Sequence, residues 1–437
     1  MAGRVDTARI RLWGRTAGAV AWDDDTGLAS FEFEPSFLDS GLDISPVRMP
    51  LEQARSGRRV FSFPGIPWIT FMGLPGLLAD SLPDLFGNAI IDQWVARQGR
   101  TIEDFSPVER LCYTGRRGIG ALEFEPVINA QFDESVPVEI GALVDLAKEV
   151  LASREGFSTG LDRDPAGALL DIIRVGTSAG GNRPKAVIAM NDATGEIRSG
   201  QVDAPAGFGY WILKFDGVKD GTLGNPEGYG RIEYAYSLMA RAAGIEMAEC
   251  RLYEEAGRAH FMTRRFDRSD GGEKLHLHSL CGMAHLDFNS PGSSSYEQAF
   301  RVMRELRLPY GDIEQMFRRM VFNIVARNQD DHTKNIAFLM DRQGRWRLSP
   351  AFDLTWSYNP SGRFTRVHQM TVAGKRDGFT PADIESAGRE MGVKKVGGII
   401  REISDAVSEW PAYAKEAGVS RERAESIALT HRLDLRA

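Results

Sequence analysis

Asn328-Gln329-Asp330-Asp331-His332-Thr333-Lys334-Asn335 packs two acids, an imidazole, an amine and three side-chain amides into one short stretch. Upstream, Met316, Phe317, Met320, Val321, Ile324 and Val325 recur at three- and four-residue steps, the spacing of a buried helix face. Downstream runs the apolar Ile336-Ala337-Phe338-Leu339-Met340. The polar stretch is therefore a loop between two core elements. Binding and catalytic groups concentrate on loops held by a rigid scaffold, and packing gives a chain little reason to gather so many ionisable groups there. This loop is the candidate active site.

Working outward, 437 residues are too many for one small core and imply two or three domains or lobes. A net charge of -7 and a pI near 5.7 argue against a broadly basic nucleic-acid-binding surface. Cys112, Cys250 and Cys281 lie far apart, form no redox or metal-ligand pair, and read as small buried hydrophobes in a reducing compartment. The stretch from Met1 to Leu12 lacks a signal-peptide apolar region, and no apolar run reaches the roughly 18 residues of a membrane span. The expectation is a soluble cytoplasmic protein.

The first half of the chain is rich in strand signals. Ala8 to Glu34 reads as a β-meander, and residues 35–87 are so rich in Pro and Gly that regular structure there should be short. Within them Asp80 and Asp84 read as helix N-caps. A helix with Ile90, Ile91, Trp94 and Val95 on one face follows, then a short helix from Ser106 ending in the turn Gly115-Arg116-Arg117-Gly118, taken as solvated, and a strand at 121–125. Residues 138–153 have amphipathic helical spacing.

A loop of small residues, Gly176-Thr177-Ser178-Ala179-Gly180-Gly181-Asn182-Arg183-Pro184-Lys185, precedes the apolar strand Ala186 to Met190. Small side chains let backbone amides approach an anion, although the spacing is not that of a P-loop. In the strand Tyr210-Trp211-Ile212-Leu213-Lys214-Phe215, Lys214 needs either a route to water or a negative partner. Glu233 lies in the first turn of a helix from Arg231 to Gly244, and strands follow at 250–253 and 260–263. Helical signals dominate the remainder, at 382–391, 396–407 and 421–431, interrupted by a hairpin of 336–340 with 345–348. A β-rich first half and a helix-rich second half suggest two lobes with a cleft between them.

Phosphoryl transfer from a nucleotide depends on electrostatic positioning. Kinases use a Gly-rich loop, a strand lysine paired to a helix glutamate, a base aspartate, and an asparagine and second aspartate for magnesium. The chain supplies these in order: the loop at Gly176 to Lys185, Lys214, Glu233, Asp330, Asn335 and Asp353, with Asp330 and Asn335 at the kinase Asp-x-x-x-x-Asn spacing.

Through most of its length the sequence resembles the HipA family of serine/threonine kinases, toxins of bacterial type II toxin–antitoxin pairs. The motifs that carry the resemblance are Ser178 to Lys185, Trp211 to Phe215, Arg265-Phe266-Asp267-Arg268, Asn328 to Asn335, Leu348-Ser-Pro-Ala-Phe-Asp-Leu354, and Leu77 to Asp84. The resemblance implies an α+β, two-lobed protein-kinase-like fold. It divides the chain into an extra β-rich N-terminal subdomain at 1–130, a kinase N-lobe at 131–268 and a helical C-terminal lobe at 269–437.

It implies Mg2+ and ATP as cosubstrates and transfer of the γ-phosphate to a serine or threonine of a cellular protein, an aminoacyl-tRNA synthetase being the target known for relatives. By motif position Asp330 is the base, and Asn335 and Asp353 are the magnesium ligands. Lys214, Glu233, Ser178, Gly180, Gly181, Lys185, Phe266, His332 and Lys334 surround the nucleotide, with Phe266 near the adenine. Relatives inactivate themselves by autophosphorylation of a loop serine, a place either Ser178 or Thr177 fills here. The implied partner is a DNA-binding antitoxin of HipB type, through which the acidic chain touches DNA only indirectly; no membrane is involved. Two alternatives share these motifs: a kinase-like scaffold that binds an antitoxin in transcriptional repression, and a small-molecule kinase.

Three conspicuous features stay outside the kinase pattern. Asp331 reads as solvent-facing in preference to metal-binding, and His332 as either a phosphate contact or loop packing. His276, His278 and His285 sit loosely around Cys281 without a compact ligand set.

Overall fold

The structure is a computed structural model, which describes residues 4–436 apart from residues 84, 102–103, 129, 146, 148–174, 176–183, 218–227 and 270. In the N-terminal meander, β1 (Thr7–Leu12), β2 (Arg15–Asp23) and β3 (Leu28–Phe33) alternate buried and exposed positions, so Ala8, Ile10, Leu12, Val20, Phe31 and Phe33 line one core. With β4 (Val60–Phe61) and β5 (Leu122–Glu125) they form one sheet, in the order β4-β3-β2-β1-β5. The Pro/Gly-rich segment folds into helices of four or five residues, among them Leu51–Arg55, Trp68–Phe71 and Gly76–Ala79.

A second antiparallel sheet comprises β6 (Lys185–Met190), β7 (Ile197–Ser199), β8 (Gly209–Lys214), β9 (Cys250–Glu255) and β10 (Arg258–Arg264), in the order β7-β6-β8-β10-β9. The helix Tyr229–Ala242 packs on β9 and β10. It starts two residues earlier than the sequence suggests, so Glu233 lies in its second turn and no acid occupies its first. The helix dipole therefore does not account for Glu233.

The C-terminal half buries one large cluster. Its members include Met316, Phe317, Met320, Val321 and Ile324 of the helix Tyr310–Val325, with Ile399, Ile400 and Ile403 of the helix Val396–Ser408. Capping boxes start two of its helices, Ser295 with Gln298 and Thr380 with Asp383. A helix at Trp410–Glu416 has no counterpart in the sequence reading.

The hairpin is a three-stranded sheet in the order β11-β12-β13, because β11 (His276–Ser279) joins β12 (Ala337–Met340) and β13 (Trp346–Leu348). This sheet abuts the N-terminal subdomain, whose core takes in Met340 and Cys281. The approach is close: a Cβ on Gly76 would lie 2.1 Å from the Gly282 carbonyl oxygen, which only glycine permits.

Two readings change at this junction and near it. Asp80 caps no helix N-terminus; its side chain is 8% exposed, and its carboxylate accepts from His278 Nδ1 (2.7 Å), Ser279 N (2.7 Å) and Ser279 Oγ (2.6 Å). Burial alone would raise the Asp80 pKa, but these donors and the Lys334 charge hold it below the usual carboxylate range. Arg117 is not solvated: it is fully buried and donates to the Tyr113 carbonyl and to Asp133 Oδ1 (3.2 Å). The histidines serve packing, His276 against the Ile44 carbonyl (2.9 Å), His278 against Ser45 Oγ (3.2 Å) and His285 accepting from Gly76 N (3.1 Å). Asp84 lies outside the described residues, and all three cysteines are buried and free.

Candidate active site

Lys214 ends β8, flanked in register by Lys185 on β6 and Phe261 on β10. Its ammonium does not snorkel to water. Nζ donates to Glu233 Oε1 at 2.5 Å and also to Asp353 Oδ1. Burial works against a charged lysine here, but Asp353 and Glu233 outweigh it and hold the ammonium pKa above its ordinary value. Glu233 is 2% exposed, so this pairing compensates an otherwise costly buried carboxylate. Asp353 has a left-handed backbone, φ 53°, at the end of the segment after β13. Burial favours its neutral form, yet Lys214, Lys185 and His332 together lower its pKa below the usual range. Two lysines from the second sheet thus meet an aspartate from the helical half.

The polar loop follows the helix Tyr310–Val325 and closes with a single turn at Thr333–Asn335. Asp330 is the exposed acid, with its side chain 45% accessible. Its Oδ1 accepts from Gln369 Nε2 at 2.5 Å and lies 3.9 Å from His332 Nε2, whereas Oδ2 has no partner among the described residues. Asn335 Nδ2 donates to the Asp330 carbonyl oxygen at 2.9 Å, which commits the amide nitrogen and leaves its Oδ1 as the outward group. His332 sits 5.4 Å from the Phe288 ring, and Lys334 lies over the same ring at 5.4 Å, on the side of Asp80.

Asp331 faces inward, contrary to its solvent-facing reading. It is 3% exposed and accepts from Tyr296 Oη (3.0 Å), His368 Nδ1 (2.9 Å) and Gln369 N (2.8 Å). Asn323 Nδ2 donates to Tyr296 Oη (2.9 Å), and Asn328 Nδ2 donates to Asn323 Oδ1 (2.9 Å), so the loop hangs from the preceding helix by a chain of polar side chains. Tyr296, Asn323, His368 and Gln369 escape the sequence reading, because 27 to 39 residues separate each bonded pair across the site.

The connector after β10 is a buried ion cluster. Asp267 accepts from Arg265 (2.9 and 2.7 Å), from Arg268 Nη1 (2.9 Å) and from the Gly120 N–H (2.8 Å), tying the second sheet to the N-terminal subdomain. Phe266 is half-buried with its ring 5.5 Å from that of Phe352, beside Asp353. Lys185 is 3% exposed. The remainder of the small-residue loop, with Thr177, Ser178, Gly180 and Gly181, lies outside the described residues.

Among the described residues no group of three or more His, Cys, Asp or Glu has the arrangement of a metal site. Magnesium takes hard oxygen ligands, keeps several waters, and needs one or two protein donors beside substrate phosphates. The Asp353 carboxylate and Asn335 Oδ1 are such donors.

The family model described as HipA N-terminal domain matches residues 8–125, and that described as HipA-like C-terminal domain matches residues 177–427, more than half of the chain. The chain belongs to the HipA family. It is similar in fold to a chain of the Shewanella oneidensis complex of HipA, HipB and operator DNA, with a TM-score of 0.66 and 16% identity over 98% of this chain and 96% of that one. The fold is accordingly protein-kinase-like with an added N-terminal subdomain. A Sinorhizobium fredii protein bearing the name kinase Y4mE is 27% identical over 125 residues, 26% of this HipA-family chain. That match spans 30% of the relative's own length. Among the described residues no helix is long and apolar enough to cross a membrane.

Proposed function

We propose that this HipA-family chain is an ATP- and magnesium-dependent protein kinase that phosphorylates serine or threonine. The observation that carries the reading is the Lys214 ammonium shared between Glu233 and Asp353, which joins the second sheet to the helical half. A cation built this way is fixed in charge and position, as orientation of a nucleotide's phosphates requires. Asp330 presents Oδ2 outward and takes the proton of the acceptor hydroxyl as that oxygen attacks phosphorus. Asn335 and Asp353 supply the oxygen donors for magnesium, which when bound neutralises charge on the nucleotide's phosphates.

The partner is inferred on coarser grounds. The Shewanella oneidensis chain of the same fold was solved with HipB and operator DNA, which supports an antitoxin of HipB type and DNA contact through it. A protein acceptor, self-phosphorylation at Ser178 or Thr177, and a cytoplasmic setting belong to the same proposal.

Nucleotide binding tests the reading first. A ligand at about a hundred times its Kd stabilises the fold by about 2.7 kcal/mol, a rise of several degrees in Tm. ATP with magnesium raises Tm in the wild type and not in Asp353→Ala; a wild type indifferent to ATP and magnesium would contradict the proposal.

A further inference from the structure

The oxygen of Asp330 that faces Gln369 is not the one a substrate meets. Gln369 is 5% exposed, and its Nε2 lies 2.5 Å from Asp330 Oδ1. The amide orientation follows from chemistry, since Oε1 in that place would set a lone pair against a carboxylate. Its Oε1 is buried without a partner, so the side chain accepts an unmet polar atom in order to donate to Asp330. The backbone is pinned as firmly. Gln369 N donates to Asp331 Oδ1 (2.8 Å), its carbonyl accepts from Gly292 N (2.7 Å), and the preceding His368 is held by Asp331 through Nδ1 and by Arg376 at its carbonyl (2.6 Å).

We propose that Gln369 is a positioning residue for the base. Its amide occupies Oδ1 and fixes the carboxylate's rotamer, leaving Oδ2 as the oxygen that receives the acceptor's proton. Asp331 acts one step behind, holding residues 368 and 369 in place. The inference rests on the reading of Asp330 as the base. A half-exposed aspartate free to rotate would present either oxygen in many orientations, and a misplaced base loses much of the advantage of proximity.

The test uses the full-length protein and radiolabelled ATP with magnesium, reading phosphate transfer to the protein itself and to a panel of serine/threonine peptides. In Gln369→Ala the transfer rate falls about ten- to a hundredfold while the KM for ATP stays at the wild-type value. Gln369→Glu supplies the diagnostic that a purely structural role does not. Two carboxylates that close share one proton, and a protonated Glu at 369 donates to Asp330 as the amide does. The titratable groups facing this pair are His332, 3.9 Å from Oδ1, and the neighbouring Asp331, itself bonded to His368. Activity of Gln369→Glu relative to wild type is therefore highest at acid pH and declines as pH rises and both carboxylates ionise.

Wild-type transfer rates in Gln369→Ala, or a ratio for Gln369→Glu that does not change with pH, would overturn the role of Gln369 and leave the kinase reading intact. Should Gln369→Ala fail to fold, the isosteric Gln369→Glu ratio still decides. A wild type that binds Mg-ATP but transfers phosphate to no acceptor would overturn the kinase reading itself.

Discussion

Two regions of this molecule are dense in ionisable groups, and they are built in opposite ways. At the junction between the N-terminal subdomain and the rest, each Asp267 oxygen accepts from Arg265, Oδ2 accepts also from Arg268 and the Gly120 N–H, and Asp80 is enclosed by His278 and Ser279. At the candidate site, Asp330 keeps one oxygen without a partner among the described residues, and the lowered carboxyl of Asp353 rests on lysines from the second sheet. Charge density is the same signal in both. What separates a site from a staple is whether the polar atoms are all consumed internally.

The junction predicts the largest effect on stability. Asp267→Ala leaves Arg265 and Arg268 buried without their carboxylate, and loss of one partner from a buried ion cluster costs about 3–5 kcal/mol. Chemical denaturation would measure that loss, while the rise in Tm on adding Mg-ATP survives in the folded fraction. A variant as stable as the wild type would mean that the cluster does not hold the junction.

The adjacent acids of the loop sharpen the contrast at smaller scale. In Asp331→Asn the new amide N–H groups meet existing donors from Tyr296, His368 and the Gln369 backbone, at a cost of about 1–3 kcal/mol. Asp330→Asn, at a half-exposed position, changes stability by less than about 0.5 kcal/mol. Urea midpoints of the two variants side by side give the answer; equal midpoints would erase the distinction drawn between them.

A further effect is a dependence on acid. Burial, with nearby cationic or imidazole neighbours, pushes His276 and His285 down to about 3, and burial pushes His260 and His431 down to about 4, from an ordinary value of 6.5. These rings are neutral in the fold, so the unfolded chain takes up their protons first. Their contribution is complete above about pH 6.5 and is lost as pH falls towards the folded values. Asp43, whose carboxyl burial raises to about 6, works in the opposite sense and offsets part of the loss. Tm should decline between pH 6.5 and 4; a flat profile over that range would show the buried rings to be energetically silent.

How far the sequence spoke depended on whether partners were near in the chain or in recognisable order. The meander, β8 with its embedded lysine, and the loop from Asn328 to Asn335 were legible because periodicity and motif spacing are local. The strand β11 was not, because His276 and His278 occupy buried positions that polar residue types disguise. Their partners Ile44, Ser45 and Asp80 lie 198 to 233 residues away. Arg117 hid in the same way, reading as a turn residue while its guanidinium is enclosed by Tyr113 and Asp133. Gln369 carried no signal at all, since a single glutamine 39 residues beyond Asp330 acquires meaning only when the fold brings it to the carboxylate.

The central claim is that the candidate site transfers phosphate through Asp330 while the junction only holds the molecule together. The most direct measurement is γ-phosphate transfer from ATP, with and without magnesium, by the wild type, Asp330→Asn and Asp267→Ala. The account predicts magnesium-dependent transfer by the wild type, a loss of roughly 10²–10⁴-fold in Asp330→Asn, and wild-type transfer per folded molecule in Asp267→Ala. Transfer by Asp330→Asn at the wild-type rate would contradict it.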